Sequence, residues 1–165
     1  MIVKEIRDED FTSYKKPSIV IGFPSCTFKC ERECGCNGMC QNLALVTAPN
    51  IEIGYEHIVD RYMKNPITKA IIMAGLEPFD SPVSLPELIK EFRKHTDDDI
   101  VIYTGYRKDE LICGFPSLRE SYNKIKQFKN IIIKFGRFVP NQQPHYDQIL
   151  GVKLASDNQY AEVIS

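Results

Sequence analysis

Five of the six cysteines fall within fifteen residues, at Cys26, Cys30, Cys34, Cys36 and Cys40, and only Cys113 lies elsewhere. Thiols at that density either hold a metal centre or close a disulfide knot. A chain of 165 residues is long enough to bury a core without covalent staples, and disulfide frameworks belong to small chains in oxidising compartments, so the metal reading leads. The intervals between the cysteines are three, three, one and three residues, so there is no Cys-x-x-Cys pair. A structural zinc site usually takes two such knuckles, or one knuckle with two spaced histidines. His57, His95 and His145 are scattered without ligand spacing. An iron–sulfur cluster accepts more varied spacing, because the loop wraps a body larger than one ion. Three thiolates on a four-iron cube leave one iron open to a small molecule, whereas four close it.

Composition narrows the setting. A hydrophobic content of 43% with 26% charged residues is that of an ordinary soluble protein. The net charge of -1 points to neither nucleic acid nor an acidic membrane as partner. No apolar run approaches the roughly 18 residues of a membrane span. The start Met1-Ile2-Val3-Lys4-Glu5 is no signal peptide. A cytoplasmic location, where thiols stay reduced, is the expectation.

The cysteine loop, residues 24–42, needs a frame, and the remaining sequence supplies an alternating one within a single domain, 1–165. Ile2-Val3, Ser18–Gly22, Lys69–Met73, Ile100–Tyr103, Ile131–Ile133 and Leu150–Leu154 read as short buried strands. Between them lie helical faces: Tyr55, Ile58, Val59, Tyr62 and Met63, stopped at Asn65-Pro66, then Leu85, Leu88, Ile89 and Phe92, then Leu118, Tyr122 and Ile125. Ser84 with Glu87, and Ser117 with Glu120, have capping-box spacing. Continuous β-branched runs separated by amphipathic helices predict an α/β fold with mostly parallel strands covered by helices.

The unusual residues gather at one place on this frame. The cysteine loop, Ala74-Gly75-Leu76-Glu77-Pro78, Thr104-Gly105-Tyr106, Phe135-Gly136-Arg137 and Ser156-Asp157-Asn158-Gln159 each follow an expected strand. The carboxyl edge of a parallel sheet is where such folds build their sites, so one cavity lined by all five loops is the economical arrangement. Other conspicuous residues read as ordinary: Asp97-Asp98-Asp99 as a solvated loop, Cys113 as a core residue beside Leu111 and Ile112, and Lys124, Lys126 and Lys129 as cations at a helix end. No Gly-rich phosphate loop or nucleophile elbow is present.

These residues resemble a known family. Cys26-Thr27-Phe28-Lys29-Cys30 is similar to the Cys-x3-Cys half of the radical S-adenosylmethionine (SAM) signature, Cys-x3-Cys-x2-Cys. Asn42 after Cys40, Ile102-Tyr103-Thr104-Gly105-Tyr106, Gly136-Arg137-Phe138 and Ser156-Asp157-Asn158-Gln159 resemble, in order, segments of the activating proteins for anaerobic (class III) ribonucleotide reductase. The likeness runs from about Ile19 to Ile164. The sequence departs from the pattern twice. Nine residues separate Cys30 from Cys40, so that Cys34 and Cys36 fall in an inserted loop; the alternative third ligand is Cys34, after a three-residue spacer. Gly75-Leu76-Glu77-Pro78 stands where the superfamily has Gly-Gly-Glu-Pro.

The resemblance implies a compact partial (β/α) barrel, open on one side to a protein segment. It implies a [4Fe-4S] cluster on Cys26, Cys30 and Cys40, with S-adenosylmethionine on the open iron. Phe28, Gly75, Glu77, Thr104, Ser156 and Asn158 become the candidate cofactor contacts. An electron entering the cluster would cleave SAM to a 5′-deoxyadenosyl radical, which takes a hydrogen atom from a glycine of a large partner. That partner would be a glycyl-radical enzyme, in the first instance anaerobic ribonucleotide reductase, with flavodoxin or ferredoxin as electron donor. The competing class is a non-catalytic iron–sulfur electron carrier or a zinc-binding structural module, which four bound thiolates would favour.

Overall fold

The computed structural model describes all of residues 1–165. In chain order the strands and helices are β1 (Ile2–Val3), β2 (Glu5–Asp10), β3 (Ser18–Phe23), α1 (Lys29–Cys34), α2 (Leu43–Thr47), β4 (Ile51–Glu52), α3 (Tyr55–Lys64), β5 (Ala70–Gly75), α4 (Ser84–Phe92), β6 (Asp99–Tyr103), α5 (Lys108–Cys113), α6 (Pro116–Ile125), β7 (Ile131–Phe135), β8 (His145–Asp147), β9 (Val152–Leu154) and β10 (Tyr160–Val163). A 3-10 turn, Pro78–Asp80, follows β5.

A six-stranded sheet in the order β10-β7-β6-β5-β3-β2 organises the chain. β3, β5, β6 and β7 are parallel neighbours, while β10 and β2 join the two edges antiparallel. The parallel strands are added one beside the next in chain order. Since such crossovers are right-handed, this steady progression places the connecting helices on one face. That face holds the larger core, a cluster of 24 buried residues that includes Ile58, Leu88, Phe92 and Tyr122 from the helices and Ile19, Ile71, Ile102 and Ile133 from the strands. The opposite face has a cluster of only nine, among them Val20, Ile72, Val101 and Ile132. Alternate residues of each strand feed the two clusters, which explains the continuous apolar runs. The second face meets the cysteine loop at the sheet's carboxyl edge, where Val20 and Ile72 line a cavity together with Cys30 and Cys40.

The mostly parallel sheet with flanking helices agrees with the sequence. Several local expectations do not. Leu150–Leu154 does not extend the parallel series: Val152–Leu154 pairs antiparallel with β8 in a separate two-stranded ribbon. β2, with sequence Glu5-Ile6-Arg7-Asp8-Glu9-Asp10, is an edge strand half open to solvent, so its side chains show no apolar run. Neither expected capping box forms. Ser84 lies inside α4 behind the Val83 cap, and α6 begins at Pro116, whose fixed φ starts a helix without a side-chain cap. Met63 is exposed, and Cys113 is exposed at the end of α5 instead of lying in the core. Asp98 and Asp99 are not merely solvated: Asp98 accepts a hydrogen bond from the Tyr62 hydroxyl at 2.6 Å, and Asp99 from Tyr14 at 2.9 Å and Lys16 at 2.5 Å. No helix is long and apolar enough to cross a membrane.

Candidate iron-sulfur site

The parallel strands end level, Phe23 beside Gly75 and Tyr103 beside Lys134, so their following loops share one edge. After β3 the chain runs out through Ser25 and enters α1 at Phe28, whose left-handed backbone (φ 52°, ψ 35°) is unusual for a bulky residue. Such a conformation costs about 1–2 kcal/mol and is tolerated where surrounding contacts dictate the path. Two contacts do so. The Thr27 amide donates to Asp80 Oδ2 at 2.7 Å, and the Phe28 amide to Cys26 Sγ at 3.2 Å. Asp80 is itself held by the Tyr106 hydroxyl at 2.6 Å. Farther on, the Cys40 amide donates to Glu31 Oε1 at 3.0 Å, and Asn42 Nδ2 to the Gly75 carbonyl at 2.6 Å. The loop is thus stitched to itself and to the ends of β5 and β6.

This stitching brings Cys26, Cys30 and Cys40 onto the wall of one cavity of about 70 Å³, with Glu77, Gly105 and Arg137 opposite. Cys30 and Cys40 also line an adjoining cavity of about 360 Å³ that runs down the inner face of the sheet to Lys134, a volume in the range of small-molecule sites. Cys34 reaches the larger cavity but not the smaller, and Cys36 reaches neither. Those two residues bond to each other through the backbone: Cys36 Sγ donates to the Cys34 carbonyl at 3.2 Å. All six cysteines are free, and no three ligand side chains close on a single metal ion. Three thiols on one cavity wall are a donor set that would suit an iron–sulfur cluster. Burial pushes the Cys26 thiol up to about 12, the Phe28 hydrogen bond notwithstanding, and the Cys30 thiol upward as well. Free thiols so placed make poor nucleophiles.

The other candidate residues divide by what they touch. Gly75 and Thr104 line the larger cavity and Glu77 the smaller. Glu77 is fully partnered by protein: its carboxylate accepts from Thr104 Oγ1 at 2.7 Å, from the Gly105 amide at 2.8 Å and from the Phe79 amide at 3.1 Å. Ser156 and Asn158 line neither cavity. Asn158 Nδ2 and Ser156 Oγ donate to the Arg137 carbonyl at 2.9 and 3.5 Å and brace the Gly136–Arg137 turn from behind. Phe28 likewise lines neither. Gln159 lines the larger cavity instead, with Nε2 on the Gly136 carbonyl at 3.3 Å. Lys134 was missed by sequence reasoning because it looks like one polar residue at a strand end. It is 7% exposed on the cavity floor, and Nζ donates to the Gly136 carbonyl at 2.7 Å. Burial pulls its ammonium down to about 8.

A family model described as "4Fe-4S single cluster domain" matches residues 19–159, from the start of β3 to the strap behind Arg137. The chain belongs to that family. A 4Fe-4S single cluster domain binds an iron–sulfur cluster, so the zinc expectation loses its support. No curated protein and no solved structure matches the chain.

Glu77 yields a prediction for the cluster-free 4Fe-4S single cluster domain. Burial pushes its carboxyl up from 4.5 to about 7, against the three hydrogen bonds that pull it down. A raised folded-state value means that the folded chain binds the extra proton. The associated stability is complete below the unfolded value and is lost as pH rises through the folded one. Urea unfolding of the wild type should therefore show stability falling between about pH 4.5 and about pH 7, by at most about 3 kcal/mol. Glu77→Gln should flatten that slope. Equal slopes in the two proteins would mean that the carboxyl titrates alike in the folded and unfolded chain.

Proposed function

We propose that this 4Fe-4S single cluster domain is a radical-SAM enzyme of the activating type, its sheet forming part of a (β/α) barrel. Cys26, Cys30 and Cys40 hold the cluster, and the larger cavity receives S-adenosylmethionine. The supporting observation is that these three thiols, and neither Cys34 nor Cys36, line the small cavity, which adjoins a second cavity large enough for a nucleoside. When bound, the cluster and SAM supply reductive cleavage of the sulfonium bond to a 5′-deoxyadenosyl radical, which generates a glycyl radical on a partner enzyme. Anaerobic ribonucleotide reductase is the partner the sequence resemblance favours, with a flavodoxin or ferredoxin as reductant and the cytoplasm as setting.

The chain's own residues prepare that chemistry. Thr104, Gly105 and Glu77 form one hydrogen-bonded unit that fixes the β5 and β6 loops beside the thiols. Asn42 holds the exit of the cysteine loop against Gly75, whose missing side chain lets β5 lie close beside β3. Lys134 and the Gly136 backbone set the cavity floor. Val20, Ile72 and Leu76 give the cavity an apolar stretch of wall.

The test is anaerobic reconstitution with iron and sulfide, reduction, and incubation with SAM. The expected outcome is a change in the cluster's electron paramagnetic resonance signal on SAM addition and accumulation of 5′-deoxyadenosine. One observation favours a second reading: Cys34 lines the larger cavity with Cys30 and Cys40, so a four-thiolate electron carrier is within the loop's reach. A cluster whose spectrum ignores SAM, with no 5′-deoxyadenosine formed, would establish the carrier.

A further inference from the structure

Helix α1 has six residues, buries none of them and has no side chain capping its start. Apolar packing therefore does not set its position, and helices shorter than about 12 residues are marginal on their own. It nevertheless contains Cys30 and lies between Cys26 and Cys40. Its fixed points are charged and converge on Arg137. The Arg137 side chain is 7% exposed; Nη1 lies 2.8 Å from Glu110 Oε2 and Nη2 2.9 Å from Glu110 Oε1, a two-pronged pair between the β7 loop and α5. Its Nε lies 3.3 Å from Glu33 Oε2, on α1. Lys29, at the first position of α1, pairs with the same Glu110 carboxylate. The guanidinium is stacked 5.8 Å from the Tyr106 ring centroid. Both ends of α1 are thus tied to one Arg–Glu pair.

We propose that Arg137 is the positioning residue of the cluster loop: with Glu110 it forms a charged clamp that holds α1, and so Cys30, beside Cys26 and Cys40 before any cluster is bound. The proposal rests on the reading that α1 supplies a cluster ligand, and not on SAM chemistry. Sheltered, two-pronged Arg–carboxylate pairs are stronger and more directional than exposed ion pairs. A lysine would keep the charge and lose the fork. Glu33 and Lys29 are the more exposed partners, so high salt weakens their share of the clamp most.

The test uses the cluster-free protein and needs no turnover. Alkylation by iodoacetamide is followed at each cysteine by peptide mass spectrometry, at low and high salt, with the exposed Cys113 as internal reference. Arg137→Gln should speed alkylation of Cys30 about 10-fold, because the loop opens more often, and leave Cys113 unchanged. Arg137→Lys should restore the slow rate only in part. Glu33→Gln should also speed Cys30, and the double variant should be no faster than Arg137→Gln alone, as expected for two members of one contact. Added salt should speed Cys30 in the wild type and have little effect in Arg137→Gln. If Arg137→Gln fails to fold by circular dichroism, Glu33→Gln supplies the same readout from an exposed position. Unchanged Cys30 rates, additive effects or an identical salt response would overturn the clamp. Since SAM is absent, that failure is distinct from failure of the SAM reading, which the 5′-deoxyadenosine assay decides.

Discussion

Alanine at Cys26, Cys30 or Cys40 should each abolish 5′-deoxyadenosine formation and lower bound iron and sulfide, whereas Cys34→Ala and Cys36→Ala should keep both. The expectation follows from where the thiols point. Three line the same small cavity, and the Cys34–Cys36 pair closes on itself outside it. Even the partners of metal ligands cost roughly 10- to 100-fold when removed, so loss of a ligand should exceed about 100-fold in activity. Iron and sulfide analysis with the 5′-deoxyadenosine assay measures both quantities on each variant. Loss of the cluster in Cys34→Ala with retention in Cys40→Ala would move the third ligand to the shorter spacer. Loss in the Cys26, Cys30, Cys34 and Cys40 variants alike would point to the closed four-thiolate carrier.

The second large effect is expected at Gly75. Its φ of +90° belongs to a region that side-chain-bearing residues rarely adopt, and a Cβ there would lie 2.5 Å from the Phe23 amide nitrogen and 2.7 Å from the Gly22 Cα. Both contacts are backbone of the neighbouring parallel strand, so relief requires β3 and β5 to separate at the edge that carries the site. Gly75→Ala should destabilise the protein by about 3 kcal/mol or more and displace the carbonyl that Asn42 grips. Gly38, with φ +75° and open space around it, is the control. Gly38→Ala should cost only about 1 kcal/mol, from its backbone alone. Urea unfolding of the two variants compares them, and equal losses would remove the close approach of β3 and β5 as the cause.

The resemblance reached beyond the family match, which establishes a 4Fe-4S single cluster domain. Cys30 and Cys40 ten positions apart, with Asn42 behind them, suggested which thiols belong together. The fold sets them on one wall because Glu31 and Asn42 tie the insertion down. Ser156 and Asn158 looked equivalent to Thr104 as polar strand-end residues. They face the Arg137 carbonyl instead, because β9 leaves the main sheet and only β10 returns the chain to β7.

What the sequence by itself determined was local: the thiol density, the buried strands, the helical faces of Leu85, Leu88, Ile89 and Phe92, and the gathering of polar residues at strand ends. Burial pattern and side-chain chemistry are written in adjacent residues, and short-range periodicity reports them. Only the tertiary structure decided that β2 and β10 pair antiparallel at the edges, that Glu77 spends its hydrogen bonds on Thr104, Gly105 and Phe79, and that Lys29, Glu33, Glu110 and Arg137 form one clamp. Strand pairing at the edges and the clamp join residues far apart in the chain, where no local period exists. Which carboxylate meets which cation is set by strand register and loop path, and those follow from packing of the whole sheet.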